Sequence, residues 1–136
     1  MSLEIKSDLE DVDWGRLAQV YALAFKGFQT AELIETVFRR SYATRIAFLD
    51  GEIVGGVYAF SDGVLDASIH GLCVHPDYQK KGIGKALMQS LLSQFGPNVA
   101  LLLTAEAAHQ PIYRKLGFRP LKTAMALGFP EGDMEP

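Results

Sequence analysis

The segment Leu72–Lys85, LCVHPDYQKKGIGK, holds the densest set of residues suited to chemistry. Pro76 cannot donate to a strand ladder, so a strand ends there and a loop leads into an amphipathic helix beginning at Ile83. Gly82 and Gly84 leave the N–H groups of that helix start unshielded, and those donors, with the positive end of the helix, make an anion site. Lys80, Lys81 and Lys85 place three of the 13 basic side chains within six residues, suited to a pyrophosphate. A plainer reading, a capped helix with a solvated basic turn, accounts for the lysines. It does not account for two glycines about Ile83, which are costly in a helix unless a ligand must approach the backbone. The turn is neither a dinucleotide fingerprint nor a P-loop, because Gly82-Ile83-Gly84 lacks the third glycine and Lys85 is followed by Ala86.

Other reactive side chains are sparse. The single Cys73 forbids an intramolecular disulfide and a Cys-rich zinc site, and favours a reducing cytosol. Strand alternation places it opposite Leu72 and Val74, as a core residue. No His, Asp or Glu grouping has metal-ligand spacing, so no metal is expected. The chain of 136 residues, with 13 basic and 16 acidic side chains and a formal charge of −3, reads as one domain over residues 1–136. With 49% hydrophobic and 21% charged residues it is an ordinary globular composition. Absence of a long apolar run or a basic, apolar N-terminus argues against a membrane span or secretory signal, and a cytoplasmic location is expected. Mild acidity without basic ends argues against a nucleic-acid partner.

The elements that must position these groups follow from periodicity. Glu4–Lys6 alternates as a first strand. Asp11 or Asp13 caps a helix through Ala24, and Lys26-Gly27-Phe28 breaks it. Thr30 caps a second helix, Ala31 to about Arg40. Ile46–Leu49 and Ile53–Phe60 form a hairpin about Asp50-Gly51, followed by a strand over Val64–Val74. A helix over Ile83–Phe95 leads to Val99–Leu103, apolar on both faces as a central strand would be. A short helix, Gln110–Leu116, ends at Gly117, with Phe118 placed to touch Tyr113 across a left-handed stop. A last strand is expected within Leu121–Leu127, and a frayed tail over Glu131–Pro136. The order β-α-α-β-β-β-α-β-α-β describes an α+β fold, a mixed and mostly antiparallel sheet with helices on both faces.

Gln79-Lys80-Lys81-Gly82-Ile83-Gly84 resembles the Gln/Arg-x-x-Gly-x-Gly/Ala signature of the GNAT N-acetyltransferases. The flanking Val74-His75-Pro76 and Lys85-Ala86-Leu87-Met88 are similar to that superfamily too, as is Ile112-Tyr113-Arg114-Lys115-Leu116-Gly117-Phe118. The element order is also the GNAT order, so the resemblance covers nearly the whole chain. Asp62-Gly63-Val64 through Val74-His75-Pro76 further resembles the plastid and cyanobacterial branch related to plant serotonin acetyltransferases.

The resemblance implies acetyl-CoA as co-substrate, with its pyrophosphate against the turn Gln79, Lys80, Lys81, Gly82, Ile83, Gly84 and Lys85. It implies pantetheine paired along the backbone at Leu72 and Val74, and an amide near Leu72 as oxyanion donor. The amine acceptor, a small molecule or a peptide, attacks directly in a ternary complex, and Cys73 is not a nucleophile. Tyr113 matches the tyrosine that protonates the departing thiolate and is expected in that role, which is compatible with its ring also packing on Phe118. The place where many relatives carry a basic Glu falls near Ser68, which cannot serve. His70, which strand alternation puts on one face with Ser68 and Leu72, or a water chain takes that role, with His109 and Glu106 as alternatives. Glu106 also stands where relatives carry an Asn that contacts the cofactor. His75, beside Pro76, fits a loop role. Phe25, Phe28 and Gln29 would lie on the acceptor side, where Phe25 and Phe28 suit the core as well as a pocket for an arylalkylamine. A non-catalytic acyl-CoA sensor is the alternative reading, and a homodimer is expected by analogy with small GNAT proteins.

Overall fold

A computed structural model describes residues 2–25 and 30–136. Strand β1 (Leu3–Lys6) is followed by helices α1 (Trp14–Ala24) and α2 (Ala31–Arg40) and strands β2 (Ala43–Leu49), β3 (Glu52–Ser61) and β4 (Asp66–Val74). Helix α3 (Ile83–Leu92), strand β5 (Ala100–Leu103) and the short helix α4 (Gln110–Lys115) complete the regular elements. The expected breaker Lys26-Gly27-Phe28 and the acceptor candidates Phe28 and Gln29 lie outside the described residues. Two compact units, Met1–Thr104 and Ala105–Pro136, divide the chain.

The first unit is a five-stranded sheet in the order β1-β2-β3-β4-β5. Strands β1 to β4 are antiparallel neighbours, and β5 joins β4 in parallel after the α3 crossover. Two adjacent glycines of β3 mark the two faces. A Cβ on Gly55 would meet Leu87 of α3 at 3.2 Å, whereas one on Gly56 would meet the Tyr21 hydroxyl at 3.2 Å and the Phe38 ring at 3.4 Å. Successive strand residues point to opposite faces, so α3 covers one side and α1 with α2 the other. Leu17, Val20, Tyr21, Ile34 and Phe38 form the core on the second side; Ile83, Leu87, Met88 and Leu91 form it on the first.

Local signals place the helices as the sequence predicts. The Asp13 carboxylate accepts from the Arg16 amide at 3.0 Å to open α1, and Thr30 Oγ1 accepts from the Leu33 amide at 3.0 Å to open α2. Asp50 and Gly51, both left-handed at φ +50° and +84°, close the β2–β3 hairpin. Helix α3 ends at Leu92 rather than Phe95, because its last amides tighten onto carbonyls three residues back, Gln94 to Leu91 and Phe95 to Leu92.

Two expectations are corrected. Val99–Leu103 is not a central strand: among the described residues β5 pairs only with β4, and Leu102 is 45% exposed. A short apolar run reads the same at a sheet edge as at its centre, and only pairing tells the two apart. The last strand within Leu121–Leu127 does not form, and Met125 and Leu127 are 98% and 97% exposed. Alternation suits that segment to a strand, but a strand exists through its ladder, and none is formed there among the described residues. Within the tail over Glu131–Pro136, Glu131–Asp133 forms one 3-10 turn with no buried residue.

Candidate active site

Strand β4 is paired unequally on its two sides. It follows β3 along its length, but β5 accompanies it only from Asp66 to Ile69. From Gly71 to Val74 its β5-side edge has no strand partner among the described residues, which leaves a slot where an extended ligand can add as a strand.

At the head of that slot the strand bulges. Cys73 pairs with Gly56 and His70 with Tyr58, so Gly71 and Leu72 together oppose Val57. Gly71 is left-handed at φ +64°, and a Cβ there would overlap the Tyr58 ring, so this position accepts only glycine. The extra residue shifts the alternation by one. His70 stacks on Tyr58, whose ring lies 5.4 Å from Phe38, while Cys73 joins the core beside Tyr21, on that same α1–α2 face. The expectation that His70 shares a face with Leu72 is therefore corrected, because alternation does not survive a bulge. Val74, paired with Gly55, belongs to the α3 face.

Ser68 and His70 share a face, with Ser68 Oγ 2.7 Å from His70 Nε2. Tyr58 lies parallel to the imidazole, its centroid 5.8 Å away, and Phe60 is tilted against it at 5.2 Å. His70 is exposed, but partial desolvation beside these rings holds its pKa below the usual histidine value. The ring is thus neutral at neutral pH and open to a proton. Cys73 is 3% exposed, and burial pushes its thiol up to about 12, so it holds its proton.

The turn after β4 is held by short bonds. The His75 amide donates to Val54 O at 2.7 Å, His75 Nδ1 accepts from the Asp77 amide at 3.1 Å, and Gln79 Nε2 donates to Val74 O at 3.0 Å. Lys80 and Gly82 are left-handed at φ +62° and +82°. Gly82 is the N-cap of α3 and brings no side-chain acceptor, in contrast to Asp13 and Thr30. Ile83 buries its side chain and seats the helix start, while Lys80, Lys81 and Lys85 stay exposed. The first-turn amides of α3 therefore have no side-chain cap, beside three cations.

In the second unit Tyr113 lies on α4. The Phe118 amide donates to Tyr113 O at 3.1 Å and the Gly117 amide to Arg114 O at 3.0 Å, with Gly117 left-handed at φ +98°. This is the expected helix stop, and it brings Phe118 edge-on to Tyr113 with centroids 6.2 Å apart. Tyr113 is half-buried, which raises its pKa and keeps the phenol protonated. Glu106 and His109 are exposed.

A family profile described as an acetyltransferase (GNAT) domain matches residues 40–120, more than half of the chain. The chain belongs to the GNAT acetyltransferase family. It is 38% identical over 68 residues to the uncharacterized N-acetyltransferase ycf52 of Porphyra purpurea, a match covering 48% of this chain and 39% of that protein. The chain thus spans about two-fifths of the length of that curated relative. Among solved structures it is similar to a GNAT family acetyltransferase from Streptococcus pneumoniae TIGR4, with 27% identity and a TM-score of 0.76, covering 94% of this chain and 96% of that one. The ribosomal-protein-S18-alanine N-acetyltransferase of Escherichia coli shares the fold, with a TM-score of 0.74 at 21% identity over 89% of this chain and 80% of that one.

Membership of the GNAT family implies acetyl-CoA as the donor that the site would take. The uncapped start of α3 and its lysines suit a pyrophosphate, so the residues present fit that donor. Among the described residues no group of three or more His, Cys, Asp or Glu is placed to hold a metal. No helix among them is long and apolar enough to cross a membrane. Sequence reasoning passed over Phe60, Tyr58 and Tyr21. Their link to His70 and Gly71 runs across strands or from helix to sheet, and no short-range spacing reports it.

Proposed function

We propose that this chain is an acetyl-CoA-dependent N-acetyltransferase acting on a primary amine, a small molecule or a peptide, with residues 1–136 as one domain. The observation that carries the reading is the start of α3, where a left-handed Gly82 leaves the helix amides uncapped beside Lys80, Lys81 and Lys85. Acetyl-CoA supplies an acyl group activated as a thioester. The turn Gln79–Lys85 holds the pyrophosphate. The β5-side edge at Leu72 and Val74, which no strand pairs among the described residues, takes the pantetheine as an added strand. The amine attacks the thioester carbonyl directly, with both substrates bound. His70, neutral and partly desolvated, or a water takes the ammonium proton. The Leu72 amide donates to the oxygen on which charge develops. As the C–S bond breaks, Tyr113 gives its phenolic proton to the leaving thiolate, and the extra proton on the newly acylated nitrogen returns to the phenolate through water.

Thermal melting with and without acetyl-CoA tests the turn. A ligand that binds only the folded state stabilises it by about 2.7 kcal/mol at a hundredfold excess over Kd. Wild type should show that shift, and the Gly82→Glu, Gly84→Glu double variant should lose it; no shift at millimolar acetyl-CoA would sink the assignment. Thiol release is then followed with phenethylamine, spermidine, glucosamine and a lysine-bearing peptide. Binding without release from any of them would favour a sensor over an enzyme.

A further inference from the structure

Tyr21 is fully buried on α1, 50 residues before the bulge, and its hydroxyl donates to Gly71 O at 2.7 Å. The ring is seated on both sides, stacked on Phe25 at 6.0 Å and edge-on to Phe38 at 5.9 Å. The carbonyl it holds belongs to the left-handed residue of the bulge. That carbonyl and the Leu72 N–H are the two ends of one peptide group. The group is planar and trans, with no cis bond among the described residues, so its C=O and N–H point in opposite directions. Fixing the Gly71 oxygen on Tyr21 therefore fixes the direction of the Leu72 N–H.

We infer that Tyr21 is a positioning residue for the acyl-transfer step: its hydroxyl orients and polarises the Gly71–Leu72 peptide so that the Leu72 amide is held ready as the oxyanion donor. The inference rests on the reading of Leu72 given under the proposed function. A donor aimed before the reaction begins costs no reorganisation as charge develops, which is where such donors contribute most. A hydrogen bond accepted at the carbonyl also draws electron density from the N–H of the same peptide and strengthens it as a donor. Burial raises the Tyr21 pKa, so the hydroxyl remains a donor throughout the working pH range. Gly71 completes the arrangement, since any Cβ there would strike Tyr58 and turn the peptide away.

The test is Tyr21→Phe, which keeps the ring and removes the hydroxyl. The amine of the panel above that turns over serves as acceptor. We expect kcat to fall about tenfold with KM for acetyl-CoA within about twofold of wild type, because the turn at Gln79–Lys85 is untouched. The 1H–15N resonance of the Leu72 amide should move, while those of Gly82 and Gly84 stay in place. A Leu72 amide that does not move, or an unchanged kcat alongside a lowered melting temperature, overturns the inference and leaves Tyr21 as packing alone. Failure of the wild type to release thiol from acetyl-CoA would instead overturn the functional reading, and the Leu72 resonance would still decide whether Tyr21 holds that peptide.

Discussion

The turn from Gln79 to Lys85 and the strand face at Ser68 and His70 present polar groups by opposite means. At the turn the donors are backbone amides, exposed because Gly82 caps α3 without a side-chain acceptor. On the strand face the polar groups are side chains, and Tyr58 and Phe60 partly desolvate the imidazole. A backbone site tolerates changes in neighbouring side chains and fails when the chain path or its open surface is altered. A side-chain site has the reverse sensitivity: it fails on truncation and responds to pH. The two should therefore separate cleanly in binding and turnover.

The sharpest way to break that contrast is Gly82→Asp. It places a carboxylate where the phosphate oxygens would sit and strains a residue at φ +82°. Acetyl-CoA affinity should fall by at least about a hundredfold by titration calorimetry, with the circular dichroism spectrum retained. Comparable affinity in the variant would show that the lysines, not the amides, hold the ligand.

On the strand face, His70→Ala should lower kcat about a hundredfold at unchanged KM for acetyl-CoA. The wild-type rate should fall on the acid side with an apparent pKa below 6.5, and that limb should vanish in the variant. Stability has the matching sign. The fold binds the His70 proton more weakly than the unfolded chain does, so the contribution is whole above pH 6.5 and declines as pH falls toward the folded pKa. An acid limb that persists in His70→Ala would assign the base to a water chain, His109 or Glu106.

Single replacements of Lys80, Lys81 or Lys85 by Ala should each raise KM for acetyl-CoA about threefold at low salt and less at high salt, since exposed charges are screened. Salt-independent losses would mean that these side chains fix geometry. The smallest effect on the site is expected from Asp13→Ala. It removes the cap that α3 lacks and α1 possesses, lowering stability by about 1 kcal/mol in urea unfolding, with acetyl-CoA affinity unchanged.

Much of the turn was legible in the sequence, because glycines, a proline and lysines within a few residues of one another act locally. The strand face was legible only as a residue list. Counting by twos along β4 put His70 with Leu72, and the bulge at Gly71 put it with Cys73 instead. The aromatic neighbours of His70 come from β3, at positions no local pattern singles out.

The sequence by itself determined what depends on a few neighbouring residues. Asp13 and Thr30 open two helices, Asp50-Gly51 turns a hairpin, Gly82 leaves a third helix uncapped, and Gly117 folds Phe118 onto Tyr113. Tertiary structure alone decided which strand is the sheet edge, that Leu121–Leu127 forms no ladder, and which face each residue of β4 takes. It also decided that a tyrosine on α1 reaches a carbonyl 50 residues away. Such outcomes depend on which distant segments pair and pack, and a strand's local pattern is the same whatever partner it finds.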